Sequence, residues 1–405
     1  MKILHTADWH LGKRLDAVSR HQEQVVVLEE ICAIADAEDV DAVVIAGDLF
    51  DTYNPPTESI DLFYKICKRL TNNGLRPVIA IAGNHDSPER IEAPDPLARE
   101  CGIIFAGFPD SIVSPFSIPT GLALTKSEKG FVTLKLPRFD YPLNILLTPF
   151  ANEERLKKYF GETDKEIILR ELLKENWQKS LENFEITEGV NLLVSHLLFV
   201  RDSQAQVKED DGEKPIYIGT ASAILPEDVP EGLHYVALGH LHRFHYVGKT
   251  RVPIVYSGSP LAYSFNEDSQ EKYVVLIEAK PKERAVIREI ALKNVKKLVK
   301  ITANNISDAF DKLALVPNDL VQLSLRSQTF LDSSLLQNLY DFHSGIVKPI
   351  IPILTVDTEG VENERALDFD NIENMFINYF KSEEKVEPNE ALLSLFREVI
   401  AVNES

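Results

Sequence analysis

Cysteine is scarce in this chain. Cys32, Cys67 and Cys101 are the only three, and no two are spaced as a Cys-x-x-Cys pair. That excludes a disulfide scaffold and a thiolate zinc site, and it reads as small buried hydrophobes in a reducing compartment. Long apolar runs are also missing. No stretch approaches the roughly 18 apolar residues needed to span a bilayer. The first residues carry no apolar signal core, because Asp8, His10 and Lys13 interrupt them. A cytoplasmic protein is the expectation. Positive charge is in deficit: 43 basic against 63 acidic side chains leave a net charge of −20. That balance does not favour phosphate backbones as partners. It does not exclude them, because bound metal ions supply local positive charge. No internal repeat or low-complexity stretch is evident.

At 405 residues the chain is long enough for two or three domains. The first half alternates short apolar runs with helical patterns. Strands are expected at Lys2–His5, Ala42–Ala46, Val78–Ala82, Ile103–Ala106, Asn144–Thr148, Asn191–Ser195, Tyr235–Leu238, around Ile254 and at Tyr273–Ile277. Helices are expected at Gln22–Ala37 and Ser59–Asn72, where apolar residues recur at helical spacing. Continuous apolar strands separated by helices imply an α/β fold with buried sheets covered on both faces. Asn152–Asn183 reads as helical, and Arg201–Pro215 as a polar surface loop.

The pattern changes near Ala279. A small α/β unit is expected up to about Asp357, with strands at Val286–Ile290, Leu298–Thr302, Leu320–Leu325 and Ile350–Val356, and helices at Ser307–Leu315 and Ser333–His343. Lys280–Lys300 holds eight basic side chains, read either as a solvated edge or as a phosphate-contacting face. The tail carries two amphipathic stripes: Ile372, Met375, Phe376, Tyr379 and Phe380, then Leu392, Leu395, Phe396, Val399 and Ile400. They suit either packing on their own domain or docking on a partner helix.

Five short motifs share one context. Asp8-x-His10, Gly47-Asp48, Gly83-Asn84-His85-Asp86, Ser195-His196 and Gly239-His240-Leu241-His242 each follow an apolar strand. In α/β sheets the carboxyl ends of strands are where sites gather. Carboxylates, imidazoles and an amide, without thiolates, suit Mn, Fe, Zn or similar divalent ions. Asp8, His10, Asp48, Asn84, His196, His240 and His242 are too many ligands for one ion. They suffice for two that share a carboxylate, about 3.5–4 Å apart. Other histidines read as structural: His5 inside a strand, His234 before one, His21 and His343 in helices. His245 is left open.

In order, these motifs resemble the calcineurin-like metallophosphoesterase superfamily, whose signature runs D-x-H, GD-x-x-D, GNHD/E, H and GH-x-H. The flanks His5–Gly12, Ala46–Asp51, Ala82–Ser87, Ala237–Arg243 and Tyr256–Pro260 look like the SbcD nuclease-subunit family. The resemblance implies a two-sheet sandwich flanked by helices over residues 1–278. It further implies a small α/β DNA-capping domain over 279–360 and a helical tail over 361–405. It implies one metal on Asp8, His10 and His242 and another on Asn84, His196 and His240, with Asp48 bridging and both ions manganese. His85 would face the scissile phosphate, with Asp51 hydrogen-bonding and orienting it; some relatives carry His where this chain has Asp51. The implied activity is exo- or endonucleolytic hydrolysis of DNA in repair, recombination and replication, near the nucleoid. The implied partner is an SMC-like coiled-coil ATPase, SbcC, gripped by the tail of a chain that also dimerises. The alternatives are a phosphatase or nucleotidase with the same centre, or a non-catalytic scaffold for the ATPase.

Overall fold

The computed structural model describes residues 1–354, except 17, 161–164, 184–187, 202–222, 268–269, 328–332 and 348, together with 388, 392 and 393. Met1–Leu354 form one compact unit and Thr355–Ser405 a second. The expected loop beyond Arg201 and both tail stripes, save Leu392, lie outside the described residues.

The first unit is built on two stacked sheets. The first sheet has six strands, in the order Val286–Ala291, Tyr273–Glu278, Lys2–Thr6, Ala42–Ala46, Val78–Ile81 and Ile103–Ala106. Lys2–Thr6, Ala42–Ala46, Val78–Ile81 and Ile103–Ala106 run parallel, and Tyr273–Glu278 pairs antiparallel with Lys2–Thr6. The second sheet has eight, in the order His245–Tyr246, Ile254–Tyr256, Tyr235–Leu238, Val190–Ser195, Leu143–Thr148, Phe131–Lys135, Ala123–Glu128 and Phe116–Ser117. Strands such as AVVIA and VIAI have no polar face because both faces are covered. Between the sheets lie Ile3, Val44, Ile79 and Ile81 from one side and Ile145, Leu192, Val194 and Ala237 from the other. The outer face of the first sheet is covered by the helices His21–Ala37 and Thr57–Leu70 through Leu28, Ile31, Phe63 and Ile66. The helix Lys165–Asn183 covers the second through Leu169, Leu173 and Trp177. The expected α/β sandwich flanked by helices is therefore the observed architecture.

The third sheet is small and parallel, in the order Leu298–Ala303, Leu320–Ser327 and Ile351–Leu354. The helices Ile306–Ala314 and Ser333–Phe342 pack on it through Ala309, Leu313 and Leu339. One strand expected there belongs elsewhere. Val286–Ala291 forms a hairpin with Tyr273–Glu278 and extends the first sheet. The turn between them places Lys282 at φ 66, and this short connection lets the local pairing prevail. Ala123–Glu128 and Phe131–Lys135, a hairpin joined by Lys129-Gly130, had no expected counterpart.

His5 stitches the two large sheets together. Its Nε2–H donates to the Leu238 carbonyl at 3.1 Å, and its Nδ1 accepts from the Tyr235 hydroxyl at 3.0 Å. Burial pulls its pKa down to about 3. The folded pKa lies below the unfolded value, so His5 supports stability fully above about pH 6.5 and progressively less as pH falls towards 3. Its contribution to the slope is at most about 1.4 kcal/mol per pH unit. Denaturant titrations at a series of pH values should show a shallower acid loss in His5→Leu than in the parent, on a lower baseline; equal slopes would refute this role.

Candidate metal centre

The three parallel strands Lys2–Thr6, Ala42–Ala46 and Val78–Ile81 are neighbours in the first sheet. Asp8, His10, Asp48, Asn84 and His85 follow their carboxyl ends. Val190–Ser195 and Tyr235–Leu238 are parallel neighbours in the second, and His196, His240 and His242 follow theirs. Stacking the sheets brings both groups to one edge. The chain there leaves ordinary backbone geometry: Asp8, His10, Asp48 and His240 adopt φ of 54°, 43°, 46° and 105°. Four non-glycine residues with positive φ within one cluster mark strain held in place by the surrounding packing.

Asp48 is the centre of the arrangement. Its Oδ1 accepts the His85 N–H at 3.0 Å. Its Oδ2 lies 3.4 Å from His10 Nε2 and 3.4 Å from His196 Nε2. His10 Nε2 in turn stands 3.0 Å from His242 Nε2. His196 Nε2 stands 3.0 Å from Asn84 Oδ1. Two half-sites thus meet at one carboxylate oxygen.

Each of these rings faces an oxygen on its far side. His196 Nδ1–H donates to the Ala46 carbonyl at 2.9 Å. Carboxylates flank the outward nitrogens of the other two, Asp51 Oδ1 at 3.6 Å from His10 Nδ1 and Glu267 Oε1 at 3.5 Å from His242 Nδ1. Nitrogens and oxygens that converge at 3.0–3.4 Å in a buried site form a donor set that a divalent cation can occupy. Asp8 adds to this: its Oδ1 accepts the His240 N–H at 2.8 Å, and its buried Oδ2 has no hydrogen-bond partner. Burial pushes Asp8 up to about 7, against the pull of the His196 and His242 rings. His10 is driven down to about 3 by burial and is neutral near pH 7, as a metal ligand must be. Burial opposes the charge of Asp48 too, yet the His196, His85 and His10 rings hold it well below the usual range. Against its own burial, His196 is raised to about 9 by the Asp48 carboxylate. The ligand atoms of Asp8, His10 and Asp48 all lie within 4.8 Å of one another, and so do those of His10, Asp51 and His85. The residues present fit divalent cations.

The seven residues expected as ligands stand at this edge, the His240 ring 5.6 Å from that of His196 between centroids, but Asp51 differs from expectation. His85 Nδ1–H donates to the main-chain carbonyl of Asp51 at 2.8 Å, not to its carboxylate. The Asp51 Oδ1 stands 4.0 Å from that nitrogen and pairs instead with Lys13 Nζ at 2.9 Å. A nearby ammonium outcompetes a ring for the carboxylate. His245 is not at the centre: it stacks on Tyr256 with ring centroids 4.8 Å apart and bonds to the Arg243 carbonyl.

Several residues missed in sequence hold the ligands. Asp86 accepts from Gly83 N, Leu49 N and Phe50 N at 2.8, 3.0 and 2.9 Å, tying two ligand loops together. Gln24 donates to the His10 carbonyl at 2.8 Å. Tyr263 packs edge-on against both His10 and His242 and donates to the Trp9 carbonyl. Among these only Asp86 carried a signal, as the last residue of its motif.

The calcineurin-like phosphoesterase family model matches residues 1–244. The SbcD subunit of the SbcCD nuclease of Bacillus subtilis strain 168 is 34% identical over 98% of this chain and 97% of its own. This chain belongs to the calcineurin-like phosphoesterase family. The SbcD subunit of the Staphylococcus epidermidis SbcCD nuclease is 32% identical over 67% of the chain and 64% of its own length. A solved dimetal phosphatase from Danio rerio aligns at 12% identity over 73% of this chain and 99% of its own, with a TM-score of 0.41. Among the described residues no helix is long and apolar enough to cross a membrane.

Glycine is required where loops touch. A Cβ on Gly83 would fall 2.0 Å from Asp48 Oδ1, and one on Gly239 would fall 1.9 Å from the Ala46 carbonyl. Gly83→Ala must displace the shared carboxylate. Calorimetric titration with Mn2+ should show binding of both ions lost while circular dichroism stays near the parent's. Unchanged binding would contradict the close approach.

Proposed function

We propose that this chain is the nuclease subunit of an SbcCD-type complex, hydrolysing DNA phosphodiesters at ends, hairpins or breaks with two divalent metal ions, manganese in the first instance. The observation that carries the hydrolytic reading is the Asp48 oxygen held 3.4 Å from two imidazoles belonging to opposite sheets. The likeness to the Bacillus subtilis nuclease subunit over nearly the whole of both chains supports DNA as the substrate. In this reading Asp8, His10 and His242 hold one ion and Asn84, His196 and His240 the other, with Asp48 between.

Two divalent cations held there would supply the chemistry of a lowered water pKa and of charge drawn from non-bridging phosphate oxygens. The chain's own groups do the rest. The buried rings and loops fix the ligand positions before substrate arrives, so little reorganisation remains. His85 has its Nδ1–H committed to the Asp51 carbonyl, which leaves Nε2 for the substrate. From that position it can serve a phosphoryl or leaving oxygen as a general acid. Asp51 fixes the ring through its main chain, while Lys13 anchors its carboxylate beside His10.

In this reading the small unit built on Leu298–Ala303, Leu320–Ser327 and Ile351–Leu354, within the 279–360 segment expected from the sequence, covers bound DNA. The tail over 361–405 is assigned to a coiled-coil ATPase of the SbcC type, in a dimer of such pairs. Co-purification with that ATPase, followed by a manganese-dependent assay on linear duplex DNA, phosphopeptide and nucleotides, tests the whole. Cleavage confined to the phosphopeptide or the nucleotides would replace the nuclease reading with a phosphatase.

Two substitutions separate the roles. His85→Ala should slow DNA cleavage by about 10²-fold or more and leave two ions bound in metal analysis. Asp48→Ala should lose both ions as well as activity. Normal cleavage by His85→Ala would remove it from the chemistry.

A further inference from the structure

His242 is gripped at two places by residues outside the ligand set. Its carbonyl accepts from Lys272 Nζ at 3.1 Å, and from Ser259 N at 3.1 Å. Gly258 passes so close that a Cβ there would fall 2.6 Å from the same carbonyl. On the ring side, Glu267 Oε1 faces Nδ1 at 3.5 Å. That oxygen also accepts the main-chain N–H groups of Tyr263 and Ser264 at 2.9 and 3.0 Å. Its sister Oε2 is held by Lys272 Nζ at 2.6 Å, and Lys272 also reaches Ser259 Oγ at 3.1 Å. Glu267 and Lys272 are both almost wholly buried.

A buried ion pair is a poor device for stability alone, since desolvation offsets most of its attraction. Here the pair touches one ligand at both ends. We propose that Glu267, clamped by Lys272, is a positioning residue that fixes the proton on His242 Nδ1 and thereby sets the metal affinity of the Asp8–His10–His242 half-site. The Ser257-Gly258-Ser259-Pro260 turn completes the clamp by fixing the Lys272 ammonium against the His242 carbonyl. In the other half-site His196 Nδ1–H donates to the Ala46 carbonyl at 2.9 Å, and Asp8 Oδ1 stands 3.8 Å from the same nitrogen, whereas Glu267 and Lys272 touch His242. An outer carboxylate orients the imidazole and raises its basicity, and losing one costs about 10–100-fold in metal affinity. The effect should therefore fall on one ion of two. This inference rests on the two-metal reading above.

The test is Mn2+ titration of the full chain by calorimetry and by electron paramagnetic resonance, with thermal unfolding measured alongside. The parent should bind two ions; a parent that binds none removes the two-metal reading itself. Glu267→Gln should bind one ion with parental affinity and the other about 10–100-fold more weakly. Glu267→Asp, one methylene shorter but still a carboxylate, should recover part of the loss. Lys272→Met should weaken the same ion less, because the Tyr263 and Ser264 N–H groups still hold Glu267. If Glu267→Gln fails to fold, the Glu267→Gln/Lys272→Met double variant, which leaves no unpaired buried ammonium, takes its place with the same expectation. Two ions bound at parental affinity in a folded variant lacking the carboxylate, or both weakened equally, would overturn the proposal.

Discussion

One carboxylate oxygen lies between two imidazole nitrogens that come from different sheets. That convergence is the constraint on which the rest of the molecule depends. Electron-rich atoms do not gather in a dry site without a cation or proton to compensate them. The fold must therefore hold them together against their mutual repulsion. It does so with rigid parallel strands, with a core of aliphatic side chains between the sheets, and with a second ring of polar groups. Gln24, Asp86, Tyr263, Glu267 and Lys272 belong to that ring. Each contacts a ligand or the backbone that carries one.

Strain is concentrated at the same place. Asp8, His10, Asp48 and His240 all sit at positive φ, where L-residues are disfavoured. The neighbouring glycines admit the close approaches that let one loop lean on another. A sequence chosen for stability alone would relax these turns. Their presence here fits a site whose geometry matters more than local backbone preference.

Much of this was legible in the sequence. The strand-then-ligand rhythm was enough to bring all seven expected ligands to one edge, because parallel strands covered on both faces must end together. The two-sheet sandwich followed from apolar runs without alternation. What the sequence concealed was pairing. Val286–Ala291 reads equally well as the start of a new unit, and only its hairpin with Tyr273–Glu278 decides where it belongs. The Asp51 contact was hidden for a similar reason. The resemblance implied that it orients His85, but the competition of Lys13 for its carboxylate appears only in three dimensions. Glu267 and Lys272 lie more than twenty residues past His242 in a stretch with no ligand-like motif.

The position of the first strand has a temporal consequence. Lys2–Thr6 lies in the interior of its sheet, flanked on one side by Ala42–Ala46 and on the other by Tyr273–Glu278, and the Met1 ammonium donates to the Ala279 carbonyl at 3.0 Å. The amino terminus must therefore wait on the ribosome for a neighbour encoded some 270 residues downstream. At about 5–20 residues per second that delay is roughly 15–55 s. Throughout it, one edge of an apolar strand is without the neighbour that closes it in the finished fold.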